Sequence, residues 1–244
     1  MKTRSKHWVT SSLFGIEIDC LGHNRALELI QQQSQSTEPH HWVTMNAEMV
    51  DAATEDGQIH SLLNAADVVL PDGIGVVWAL NRQGVSVERV PGIELVKSLL
   101  QTDIPLAILG SHPDTLEAFH QILPHTYPQA NVVFSHHGYF SESEEPDILD
   151  QLQQSGARVL LVALGVPRQE QWIQVHKATL NIPVMMGVGG SFDVISGRLQ
   201  RAPELMQAAK LEWLFRLIQQ PSRWRRMLAL PRFVKKVVKI QGQR

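Results

Sequence analysis

Short apolar, β-branched runs recur along the chain, separated by stretches of helix-like periodicity. They are His41–Thr44, Asp67–Leu70, Leu106–Leu109, Val132–Phe134, Val159–Ala163 and Val184–Met186. Runs that are apolar throughout, rather than alternating, suit strands covered on both faces. The pattern therefore predicts an α/β protein with a Rossmann-like, mostly parallel sheet flanked by helices. Upstream, Leu13–Asp19 alternates and is split by Gly15, which reads as an N-terminal strand or hairpin.

Each run is followed by a polar or glycine-rich turn. These turns cover Thr44–Glu48, Pro71–Gly75, Gly110–Pro113, Ser135–Phe140, Gly165–Glu170 and Gly187–Asp193. Ligands of open α/β sheets bind outside the carboxyl ends of the strands, so a site is expected where the turns converge. Each turn also has an ordinary structural reading. Ser111 with Asp114, and Ser141 with Glu144, have the spacing of capping boxes, and capping is the favoured reading for both serines. Asp72, between Pro71 and Gly73, is placed either to cap the next helix or to act as a general base beside a substrate hydroxyl. Thr44 and Asn46 occupy the matching end of the neighbouring run, as turn residues or as partners for a sugar.

Past Arg201 the grammar changes. Pro203 is placed to open a helix with Met206, Ala209, Trp213 and Leu217 on one stripe, and Pro221 to stop it. A second short helix is expected over 222–230, closed by Pro231. Beyond it, Phe233, Val234, Val237 and Val238 share one helical face, with Lys235, Lys236 and Lys239 on another. The chain thus divides into an α/β domain at 1–200 and a basic helical appendage at 201–244.

Charge sharpens that division. The 244-residue chain has a formal net charge of -2, yet residues 1–197 carry 10 Lys and Arg against 22 Asp and Glu, while residues 198–244 carry 12 against 2. A basic, tryptophan-containing segment on an acidic body suits an anionic partner: a diphosphate, an anionic membrane or a nucleic acid. A merely solvated basic helix is the alternative. Arg216, Arg223 and Arg226 bracket Pro221, and the planar fork of arginine fits bidentate phosphate recognition.

Composition narrows the class further. With 43% hydrophobic and 19% charged residues the balance is that of a globular chain, which excludes collagen, coiled coil and linker. The longest apolar stretch, Val159–Val166, falls well short of the ~20 residues that cross a bilayer, and the N-terminus lacks a signal-peptide core, so a cytoplasmic protein is expected. A single cysteine, Cys20, leaves no intramolecular disulfide and no cysteine-cluster metal site. The pairs His40–His41 and His136–His137 lack ligand spacing and no Asp-x-Asp occurs, so no metal site is expected. Gly187–Phe192 begins like a dinucleotide fingerprint but has Phe192 where Gly or Ala belongs, and no cofactor is expected.

Read in order, TMNAE at 44–48, LPDGIG at 70–75, ERVPG at 88–92, LGVPRQE at 164–170, GVGGSFD at 187–193, RAP at 201–203 and LEWLFR at 211–216 resemble the WecG/TagA/CpsF family of bacterial glycosyltransferases. The resemblance runs from about residue 13 to about residue 230. It implies an inverting, metal-independent transfer of N-acetylmannosamine, or a related hexose, from a UDP-sugar donor to a polyprenyl-diphosphate-linked sugar acceptor in cell-surface polysaccharide synthesis. It also implies a basic appendage that meets the anionic inner face of the membrane and completes the active site. By motif, Asp72 resembles the family's catalytic base, Thr44 its partner, Arg89 a pocket arginine, and Arg216, Arg223 and Arg226 the appendage arginines. Gln169 and Asp193 resemble donor-binding positions, and Asn46, Gly73, Tyr139 and Gly189 join them as substrate-binding candidates. Met45 stands where proline is frequent and Arg168 where lysine is, which bears on the donor more than on the reaction class. On this reading Phe233, Val234, Val237 and Val238 dip into the membrane interface. A Rossmann-type oxidoreductase is disfavoured by the missing early fingerprint, and a nucleic-acid binder by the acidic body. A non-catalytic, membrane-recruited nucleotide-sugar adaptor is the remaining alternative, and self-association stays open.

Overall fold

A computed structural model describes residues 7–200, 202–203, 205–206, 212–221 and 224–241, with the side chains of 212, 216, 225, 226, 240 and 241 excepted. The chain opens with an antiparallel hairpin of β1 (Thr10–Leu13) and β2 (Ile16–Asp19). Its turn residues Phe14 and Gly15 both have positive φ, as a two-residue hairpin loop requires. There follow α1 (His23–Ser34), β3 (His40–Met45), α2 (Ala47–Glu55), α3 (Gly57–Ala65), β4 (Val68–Pro71), α4 (Ile74–Arg82), α5 (Gly92–Leu99) and β5 (Pro105–Gly110). Next come α6 (Pro113–Thr126), β6 (Asn131–His136), α7 (Glu145–Gln154), β7 (Val159–Ala163), α8 (Arg168–Leu180), β8 (Val184–Gly187) and α9 (Ser191–Ile195). The C-terminal part contains α10 (Glu212–Gln219), α11 (Trp224–Met227) and α12 (Ala229–Gln241).

Strands β3 to β8 form one parallel sheet in the order β4-β3-β8-β7-β5-β6. The apolar runs read from the sequence are these strands. Strands β4, β7 and β8 are buried along their whole length, which is why they carry no polar alternation. Successive side chains feed opposite cores: Trp42 packs with Ile30, Leu95 and Phe119 on one face, and Val43 with Val50 and Val76 on the other. Beyond β4, the buried Asp19 of β2 accepts the Val69 N–H at 2.8 Å and the Trp8 indole N–H at 2.6 Å. The hairpin thereby satisfies an amide on the sheet's edge.

The C-terminal part corrects two expectations. Pro231 closes no helix but lies in the first turn of α12, where a missing N–H is harmless because first-turn amides have no intrahelical acceptor. Nor does α12 present outward all four of the apolar residues read as its membrane face. Phe233 and Val237 are 0% and 1% exposed, in one core with Val50 of α2 and Val76 of α4, while Val234 and Val238 stay exposed. Arg232 and Lys236 reach Asp51 of α2 at 2.7 and 2.8 Å, although that carboxylate is only 2% exposed. Burial pushes the Asp51 carboxyl up, but hydrogen bonds from the two cations outweigh it and leave the carboxyl below its ordinary range. A helix read as a membrane face is, on its inner side, part of the protein's core.

Candidate active site

Asp72 and Gly73 follow β4 and turn over the end of β3, both donating backbone N–H groups to the Met45 carbonyl at 3.0 and 3.2 Å. A side chain at Gly73 would press on the Asn46 backbone, so this position needs glycine for close approach. Asn46 caps α2 by accepting the Met49 N–H at 3.0 Å. At the start of α4 it is Gly73, not Asp72, that occupies the N-cap position. Arg89 holds this turn from the other side, its Nε donating to the Asp72 carbonyl at 2.7 Å and its Nη2 lying 3.9 Å from the Asp72 carboxylate. The carboxylate is thus part-exposed, beside a fixed cation, at a strand end. Thr44, one strand over, donates its hydroxyl to the Gly187 carbonyl at 3.4 Å.

A cleft of about 390 Å³ opens farther along the same edge of the sheet, lined by Ser111, His112, Gly138, Tyr139, Ala163 to Gly165, Arg168, Gly189, Gly190, Asp193 and Gln220. Its place follows from topology. From β5 the chain crosses outward to β6, whereas from the adjacent β7 it crosses the other way to β8, so the two connections part and leave a crevice. Ser111 sits at the crevice with φ of 65°, a left-handed conformation that costs a non-glycine residue of order 1 kcal/mol or more. It therefore does not cap α6. His112 does, accepting the Asp114 N–H at 3.3 Å. Ser141 fulfils half of its capping box, since the Glu144 carboxylate reaches back to its N–H at 2.7 Å.

Around the cleft, Tyr139 is exposed at the rim, edge-on to His112. Arg168 donates to the Gly138 carbonyl at 3.4 Å and lies over the Phe140 ring. Asp193 accepts the Thr115 hydroxyl at 3.0 Å. Gln220 brings the C-terminal segment to the cleft, and the neighbouring Gln219 is bonded both ways to the Gln200 backbone. The cleft and the Asp72 turn both lie at the carboxyl ends of the parallel strands, where open α/β sheets take up their ligands. A family model for the glycosyl transferases of the WecG/TagA/CpsF family matches residues 11–244. The chain belongs to that family.

As a glycosyltransferase of cell-surface polysaccharide synthesis, the chain carries its candidate residues in two groups. Asp72, Thr44, Arg89, Asn46 and Gly73 gather at the ends of β3 and β4, and Tyr139, Gly189 and Asp193 at the cleft. Gln169 lies between them, 3% exposed with both amide atoms bonded inside the protein. Arg223 lies outside the described residues, as do the side chains of Arg216 and Arg226. Among the described residues no helix is long and apolar enough to cross a membrane. The sequence reading missed Ser111, His112 and Arg168 as cleft residues. The signal was present, since all three stand in turns after strands, but cap spacing drew attention to a different role for Ser111.

Proposed function

We propose that this glycosyltransferase moves N-acetylmannosamine, or a related hexose, from a UDP-sugar to a hydroxyl of a polyprenyl-diphosphate-linked sugar, with inversion and without a metal. The observation that carries the reading is Asp72, held part-exposed at the end of β4 with Arg89 donating to its carbonyl and lying 3.9 Å from its carboxylate. Asp72 takes the proton from the acceptor hydroxyl. That oxygen forms a bond to the anomeric carbon from the face opposite UDP, and the bond to the diphosphate breaks with its electron pair leaving on UDP. The donor lies with its nucleotide in the cleft and its sugar toward Asp72. Strands β4 and β7 are three strand spacings apart, roughly 14 Å, a span that suits an extended nucleotide-diphosphate-sugar. Arg216, Arg223 and Arg226 neutralise the departing diphosphate, the work a divalent cation does elsewhere.

The enzyme works at the cytoplasmic face of the membrane as a peripheral protein. Supporting this, Leu205, Trp213, Ile218, Trp224, Leu228, Val234 and Val238 are exposed apolar side chains set among the basic residues of the C-terminal part. One assay tests the reading: UDP release from a panel of UDP-sugars in EDTA, with and without a lipid-diphosphate-sugar acceptor. Acceptor-dependent release from UDP-N-acetylmannosamine or a close relative is expected, and release from none of the panel refutes it. For the membrane part, Val234→Asp with Val238→Asp is expected to cut binding to anionic vesicles several-fold without lowering the melting temperature.

A further inference from the structure

A buried polar chain runs beneath the cleft. His41 of β3 and Glu170 of α8 are 0% and 1% exposed, and His41 Nε2 meets Glu170 Oε2 at 2.7 Å. The other carboxylate oxygen, Oε1, accepts Gln169 Nε2 at 2.8 Å, and Gln169 Oε1 accepts the Gly189 N–H at 3.0 Å. Gly187 lies directly on this pair, because a side chain there would collide with both the Glu170 carboxylate and the Gln169 amide. The Gly187 carbonyl in turn accepts the Thr44 hydroxyl. The chain therefore ends on the Gly187–Gly190 turn, which is both part of the cleft and a neighbour of the Asp72 end.

Burying polar side chains is an expensive way to fill a core, and apolar residues of the same volume are often as stable or more so. What a carboxylate supplies that an apolar group cannot is direction. The Glu170 oxygen that faces Gln169 accepts, so Gln169 turns its NH2 toward Glu170 and its carbonyl toward the Gly189 N–H. We infer that His41 and Glu170 are positioning residues that orient Gln169 and thereby fix the Gly189 turn for the donor's nucleotide. This rests on the donor reading of the cleft. It also gives Gln169 a supporting role in place of the direct donor contact expected from its motif.

The test exploits that polarity. His41 Nδ1 is buried without a hydrogen-bond partner among the described residues, which keeps the ring proton on Nε2. In Glu170→Gln the new amide therefore accepts from His41 through its oxygen and presents NH2 to Gln169, which then turns its own NH2 onto the Gly189 N–H, donor against donor. In the swap Gln169→Glu with Glu170→Gln, the new carboxylate at 169 accepts from both the amide at 170 and Gly189, restoring the pattern with the charge moved by one residue. Expected results are about tenfold weaker UDP binding by calorimetry and about tenfold faster Gly189 amide exchange in the unliganded Glu170→Gln protein, the worth of about one hydrogen bond. Donor KM is expected to change more than kcat, and the swap to recover both readouts to within about threefold. Wild-type Gly189 exchange in folded Glu170→Gln, or a folded swap that recovers neither readout, overturns the inference. Should Glu170→Gln not fold, Gln169→Met removes the Gly189 acceptor alone, and wild-type UDP affinity in that protein overturns it equally. If UDP fails to bind even the unaltered protein, the donor reading falls, while the exchange measurements still decide whether the buried chain sets the turn.

Discussion

The two ends of the candidate site lie on one edge of one sheet but are built in opposite ways. At the Asp72 end, backbone meets backbone: the Asp72 and Gly73 amides share the Met45 carbonyl, Gly73 lies against Asn46, and Arg89 clasps the Asp72 carbonyl. At the cleft end the backbones diverge, and polar turns line an open crevice stiffened from below by buried side chains. Their supports differ as well. Helices α2 and α4 begin at the Asp72 end and rest on α12, whereas the cleft rests on α8 and α9. Close packing suits a group that must be held in one place to react; an open crevice suits a ligand that must enter and leave.

Perturbing either support tests that contrast. The largest effect is expected from Phe233→Ala, which empties a fully buried site between α4 and α12 and should cost about 3–5 kcal/mol in denaturant unfolding. Hydrogen exchange should rise over α2 and α4 and stay near normal over α6 and α8; an equal rise everywhere would show that the two ends are one cooperative unit. Next, Asp72→Asn should lower turnover at least ~100-fold, or about 2.7 kcal/mol, with UDP affinity and melting temperature almost unchanged. Near-normal turnover in that folded variant would remove Asp72 from the chemistry.

Asp51→Asn should cost about 2 kcal/mol, the loss of charge-assisted hydrogen bonds from Arg232 and Lys236. Because folding lowers the Asp51 carboxyl below its unfolded value of about 4, its contribution is complete above that pH and disappears as pH falls through the folded value. Acid unfolding of the unaltered protein should therefore begin with exchange over α2 and α12, and the Asn variant should lack that part of the pH dependence. The smallest effect belongs to the cleft: Arg168→Ala should weaken UDP binding about tenfold, or ~1.4 kcal/mol, while kcat at saturating donor changes little. A fall in kcat without a change in affinity would move Arg168 to the reacting end.

The sheet was legible in the sequence because its strands are covered on both faces, leaving runs such as Val159–Ala163 with no polar residue to confuse the period. Helix α12 was not. An apolar stripe states that something covers it but not what does, and Phe233 and Val237 satisfy a core as readily as a lipid interface. The sign that could have decided it lies far away, in Asp51, a carboxylate set among Met49, Val50 and Ala53 on α2 and needing cations from elsewhere in the chain. At the site, the motifs named Asp72 and Arg89 as pocket residues, and the structure places Arg89 on the Asp72 carbonyl. Ser111 was misread because capping-box spacing says nothing of backbone hand, and the burial of Gln169 was not legible because a polar residue in a turn motif does not reveal whether it faces ligand or interior.

Asp51 and Lys236 stand 185 positions apart, so on the ribosome the helix bearing Asp51 emerges roughly 10 to 40 s before the residues that cover it. Throughout that interval the sides of α2 and α4 that receive Phe233 and Val237 are unsheltered, whereas the Asp72 turn already has its partners in Met45 and Arg89. The nascent polypeptide thus presents an apolar surface until α12 emerges and docks on it. Chains released early by a stalled ribosome would keep that surface bare and so be conspicuous to chaperones and proteases.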